Sequence, residues 1–166
     1  MITDMATTAR RAAFRVDAIP AADLDRIRAN GVDDFGNPLE PRVVRDSGGT
    51  PLRCCLREAD AGGRVVLVAY RPAAVGGPYA EVGPVFVHAE RCDGYTGSSY
   101  PEGFRHRQQL LRAYDEQGRQ VENVIVDGVR AELAIADLLD RHDVAFVHSR
   151  NVLAGCYMFA ITRDRS

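Results

Sequence analysis

The chain has 166 residues, 46% of them hydrophobic and 27% charged, with a formal net charge of −2. That length fits one domain able to bury its own core, and the near-neutral balance gives no electrostatic reason to expect nucleic acid or an anionic membrane as partner. All 21 basic residues are arginine, which excludes chemistry that needs a lysine amine: a Schiff base, a pyridoxal phosphate anchor or a P-loop lysine.

Residues 1–12 are small and polar and read as a flexible N-terminal arm, with residues 13–166 as a single domain. The opening residues carry no apolar stretch long enough for a secretory signal. The longest apolar runs, "VVLVAY" and "LAGCYMFAI", are too short to cross a bilayer. A cytoplasmic protein with four reduced cysteines is the expectation. "FRVDAI" (14–19) reads as a short strand, and Pro20 opens a helix, "AADLDRIRANG", closed by Asn30-Gly31. Residues 32–51 hold turn formers throughout and read as a long irregular segment of the kind that often carries function.

Strands dominate from there. "LRCCLREA" (52–59) and "RVVLVAYRP" (64–72) read as a hairpin or meander, and "PVFVHAE" (84–90) as a further strand. "RQQLLRAYDEQGRQVENVIV" (107–126) reads as two strands turning at "DEQG". "GVRAELAIADLLDRHD" places Val129, Leu133, Ile135, Leu138 and Leu139 as the apolar positions of a helix. "VAFVHSR" (144–150) and "GCYMFAITR" (155–163) are the last strands. About seven strands and two helices, with no linker or repeat, make an α+β single domain with a mostly antiparallel or mixed sheet.

Candidate chemistry gathers in three places. In "PVFVHAERCDGY", His88, Glu90 and Cys92 occupy alternate positions and share one face if the strand stays regular. H-x-E opens the zinc deaminase signature, but its P-C-x-x-C half is absent. The spacing matches no strong ligand pattern, so no metal ligands and no cofactor are assigned, with zinc or iron left open. "FVHS" (146–149) echoes "FVHA" (86–89); if the two strands are parallel neighbours, His88 and His148 stand together at one sheet rim. Arg150, Asn151 and Tyr157 follow nearby as a donor-rich set for an anion. Cys54 and Cys55 lie in what reads as an apolar strand, where adjacent residues face opposite sides. One is then inert in the core, and the other is a reserve nucleophile beside Arg53 or Arg57.

Taken together, the segments "DDFGNPL", "PLRCCLREA", "PYAEVGPVFVHAERCDGY" and "AFVHSRNVLAGCYMF" resemble a small bacterial family, domain-of-unknown-function family 1203. The resemblance runs from about Phe14 to Ile161. It implies a single-domain bacterial cytoplasmic protein and supplies no catalytic residues.

Two functional expectations result. The first is a small-molecule enzyme or binder with a polar pocket at one sheet rim, carrying out hydrolysis or group transfer without an organic cofactor. His88 or His148 is its acid/base, Glu90 orients, and Arg150 with Asn151 clamps an anion. The alternative is a non-enzymatic interaction module, homodimeric through an exposed strand edge.

Overall fold

The computed structural model describes residues 12–165, so the expected arm over residues 1–12 lies outside them apart from Ala12. The elements run β1 (Phe14–Asp17), α1 (Ala21–Asn30), β2 (Arg42–Val43), β3 (Arg64–Tyr70), β4 (Gly83–His88), β5 (Gln108–Tyr114), β6 (Gln120–Asp127), α2 (Ala131–Asp140), β7 (Phe146–Asn151) and β8 (Tyr157–Arg163). They build a five-stranded sheet, β1-β8-β7-β5-β6, and a three-stranded sheet, β2-β3-β4. All strand pairs are antiparallel. The class is α+β, as the strand count and the two helices imply.

Local chemistry explains most element ends. Gly31 closes α1 with φ 69, a left-handed conformation that only glycine adopts freely, and its N–H donates to the carbonyls of Ile27 and Arg28. The β5–β6 hairpin turns where Asp115 Oδ1 accepts the N–H groups of Gln117 and Arg119. Helix α2 buries Ala131, Ile135, Ala136, Leu138 and Leu139. Val129 and Leu133, expected in that apolar set, are instead 71% and 54% exposed. Leu133 lies two residues from both Ala131 and Ile135, a step of about 200° around a helix, so it faces away from them.

Two cores flank the large sheet. On one face, α2 packs Ile135 and Leu139 against Val16, Leu111, Val147, Phe159 and Ile161. On the other, Leu24 and Ile27 of α1 join Val66, Val68, Val85 and Val87 of the small sheet, and Tyr157 reaches in from β8. A bulge explains that reach. Ser149 pairs with Phe159 but Arg150 pairs with Tyr157, so Met158 is the extra residue. Tyr157 thus shares a face with Arg150, and its ring meets Tyr70 of β3 at 5.3 Å.

One strand expectation fails, and the condition for bringing the two histidines together is not met. Residues 52–59 are not a strand: the chain doubles back, with a bridge from Pro51 to Glu58 and the Leu52 N–H donated to Arg57 O at 2.9 Å. Leu56 sits in its last part at φ 56. Nor are the two "FVH" strands parallel neighbours, because β4 and β7 belong to different sheets.

Candidate metal centre

The turn after Pro51 changes what a pair of adjacent cysteines can do. In a strand, Cys54 and Cys55 would face opposite sides; in this turn both thiols point the same way. The turn demands a left-handed Leu56, a conformation that costs an L residue about 1 kcal/mol or more and that clusters at functional sites. Two contacts dock the turn on β4. Leu52 bridges Phe86 in parallel, and the Arg53 N–H donates to Phe86 O at 2.9 Å.

This docking brings the cysteines to the last residue of β4. His88 Nδ1 lies 3.4 Å from Cys54 Sγ and 3.9 Å from Cys55 Sγ. Beyond His88 the strand ends and the chain bends. Glu90 swings outward to an exposed ion pair with Arg64, whereas Cys92 returns to the cysteines. One donor atom from each of Cys54, Cys55, His88 and Cys92 lies within 4.8 Å of all the others. Zinc–sulfur bonds of about 2.3 Å and a zinc–nitrogen bond of about 2.0–2.1 Å separate tetrahedral ligand atoms by roughly 3.5–3.8 Å. The four donors therefore fit around one ion with little movement.

The surroundings suit such an ion. The Cys54 thiol donates to the Cys55 sulfur. This contact holds Cys55 well below the usual thiol range and pushes Cys54 up. Burial opposes the first shift and adds to the second; Arg57 and His88 further favour the Cys55 thiolate. A cation between them replaces the shared proton. The His88 N–H donates to Cys54 Sγ at 3.3 Å, and the His88 carbonyl accepts Arg28 Nε and Nη2 at 3.2 and 3.1 Å. Outer contacts of this kind fix ligand orientation. Cys54 and Cys55 are each 3% exposed, but Cys54 also lines a cleft of about 420 Å³ between β1 and the 93–98 loop, which gives an ion a way in.

The other sequence candidates lie elsewhere. His148 is buried in the large sheet against Tyr114, Phe146 and Tyr157, with ring centroids 5.1–5.2 Å away, and its Nδ1 has no partner. His148 stands on β7 of the large sheet, whereas His88 ends β4 of the small sheet beside Cys54 and Cys55. Arg150 donates to Gly155 O at 2.9 Å and pairs with Glu81 at 2.7 Å. Asn151 Oδ1 accepts the N–H groups of Leu153 and Ala154, which commits it to the β7–β8 turn. Tyr157 and Arg150 line a small cleft of about 120 Å³.

A larger cleft of about 490 Å³ is lined by Asp33, Asn37 and the β3–β4 hairpin. Its buried carboxylate is fully engaged. Asp33 accepts from the N–H groups of Ala69, Phe35 and Asn37 and from the Asn37 amide. Burial works against its ionisation, but these donors outweigh burial and hold it below the usual carboxylate range.

Sequence reasoning weighed the 54–55 pair and the 88–92 segment separately. The signal that joins them is two pairs of soft ligands, C-C and H-x-x-x-C, some thirty residues apart.

A family model described as a protein of unknown function (DUF1203) matches residues 49–163. The span holds all four candidate ligands and begins after the "DDFGNPL" segment. No curated protein and no solved structure matches the chain.

Proposed function

The chain belongs to the DUF1203 family, and from the site geometry we propose that it is a zinc-binding protein, with Cys54, Cys55, His88 and Cys92 as the ligands. The observation that supports this reading is the mutual approach of four donor atoms within 4.8 Å. Three thiolates and one imidazole are a soft set that favours zinc over hard cations such as magnesium or calcium. Four protein ligands close a tetrahedron and leave no open position for substrate, so the ion's role is structural. It ties the 51–58 turn, the end of β4 and the 89–95 segment together where strand pairing has stopped.

Metal analysis by plasma mass spectrometry on untagged protein purified without chelators tests the reading. About one zinc per chain is expected in the wild type, with most of it lost in Cys92→Ala and in His88→Ala. Iron in place of zinc, seen as visible thiolate-to-iron absorption, corrects the metal but keeps the site. A wild-type protein that holds no metal and takes up none when titrated with zinc against a competing chelator refutes it.

A second reading rests on Arg150. The residue is 5% exposed and its buried Nε–H has no acceptor, and the residue lines the cleft that it shares with Tyr157. An unsatisfied buried donor beside a cleft favours a small ligand bearing an oxygen acceptor. This keeps the small-molecule binder or enzyme in play at a place separate from the metal.

A further inference from the structure

A sheet edge leaves a row of backbone N–H and C=O groups without a ladder partner, and folded proteins shield such rows by brevity, proline, charge or a covering segment. The two sheets have four edges, β1, β6, β2 and β4, and three of them carry such a shield. β1 is four residues long, and its Val16 N–H donates to Ser98 O at 3.2 Å. β4 is covered by the 51–58 turn, which bridges Phe86 through Leu52 and donates the Arg53 N–H to Phe86 O. β2 is two residues long and directly follows Pro41. β6 is the exception.

β6 runs for eight residues, "QVENVIVD", without a proline, longer than the usual five or six or so. Two observations show which of its residues face outward. The Tyr114 carbonyl accepts the Ala145 N–H at 2.7 Å, on the β7 side. Ala113, Leu111 and Gln109 are therefore the β5 residues that exchange bonds with their β6 partners Glu122, Val124 and Val126. Asn123, between two of these, turns its N–H away from β5 to the Glu122 carboxylate at 3.1 Å. Backbone direction alternates along a strand, so Asn123, Ile125 and Asp127 present the open edge. No other backbone segment pairs with them there among the described residues.

An open row of this kind selects a strand as its partner, and the register selects which strand. Place two copies of β6 antiparallel about a two-fold axis that passes through Ile125, perpendicular to the sheet. Ile125, 59% exposed, then stands opposite its own copy, and the Asn123 amide stands opposite the Asp127 carboxylate. Val124 and Val126, which pack against the core under α2, oppose each other on that face. Glu122, already paired with Arg141, falls opposite Gly128, past the end of the strand. Apolar groups meet apolar groups on both faces, and no like charges are opposed.

We propose that β6 is a dimerisation strand, which joins the large sheets of two copies of this chain into one continuous sheet with its axis at Ile125. The Ile125 N–H of each copy donates to the Ile125 carbonyl of the other, and each Asp127 N–H donates to the opposite Asn123 carbonyl. The same patch serves both copies, as a two-fold interface requires. Both α2 helices lie on one face of the joined sheet, and no ligand of the metal centre takes part.

Sedimentation equilibrium of the untagged protein at micromolar concentrations tests the proposal. The wild type is expected at twice the chain mass. Ile125→Lys and Ile125→Glu each place a charge opposite its own copy and are expected to weaken association roughly tenfold or more. Position 125 meets only itself in this register, so an equimolar mixture of the two variants is expected to recover the dimer. A second readout uses the wild type alone and does not depend on how the variants fold. Amide exchange at Ile125 and Asp127, followed by nuclear magnetic resonance, is expected to slow as protein concentration rises. A monomeric wild type, a dimer that both variants leave unchanged, a mixture no stronger than either variant alone, or exchange that ignores concentration overturns the proposal.

Discussion

His148 gives a quantitative test of the packing between the two sheets. Burial pushes its imidazole down from 6.5 to about 3, with Arg150 and Arg112 adding to the shift. In the unfolded chain it returns to the ordinary value of about 6.5. Above pH 6.5 both states are neutral and the residue adds no pH dependence. Between pH 6.5 and pH 3 only the unfolded state takes up the proton, so stability falls as pH falls. Weighing the two protonation equilibria, the loss is about 0.2 kcal/mol at pH 7 and about 2 kcal/mol at pH 5. His148→Leu keeps the volume and removes the titration. Urea unfolding followed by far-ultraviolet circular dichroism at pH 7 and pH 5 should show the wild type losing about 2 kcal/mol more than the variant. The other three histidines are common to both proteins, and their contributions cancel in this difference. Equal losses in the two proteins would mean that His148 is protonated in the folded state, which its burial against Tyr114, Phe146 and Tyr157 does not allow.

Three further outcomes are expected. If zinc ties the 51–58 turn to β4, a strong chelator should lower stability by about 3 kcal/mol where free zinc was near a hundred times its Kd. For a chain of this size that is a drop of roughly 6–12 °C in Tm, absent in Cys92→Ser; an unchanged wild-type Tm would count against a structural ion. Gly128→Ala should destabilise by about 1–3 kcal/mol or more by thermal denaturation. A Cβ there would lie 2.5 Å from Arg105 O and 2.6 Å from Phe104 O, both backbone atoms that cannot swing aside. Asp33→Ala should cost about 2–3 kcal/mol, because three backbone N–H groups and the Asn37 amide lose their acceptor. Loss of amide protection at Phe35, Asn37 and Ala69 in hydrogen exchange is the specific readout.

The site was half legible in the sequence. His88 and Cys92 stood out as polar residues leaving an apolar strand, and β4 does end at His88. Glu90 was grouped with them by the period of two, which lapses once the chain bends. The adjacent cysteines were assigned to opposite faces by the same period. A left-handed Leu56 and the Leu52–Arg57 hydrogen bond replaced that strand with a turn. No local pattern links Cys156 to Arg53, which donates to its sulfur from 103 residues away.

By itself the sequence determined the α+β class, the positions of both helices, the β5–β6 hairpin and the exclusion of lysine chemistry. These depend on short-range periodicity, on turn residues and on composition, all of which act within a few residues. Only the tertiary structure decided that the strands divide between two sheets, that His88 and His148 part company, and that four soft ligands meet. Those outcomes depend on contacts between segments some thirty to a hundred residues apart. No local preference encodes them, because they are fixed by which faces bury together when the two cores close.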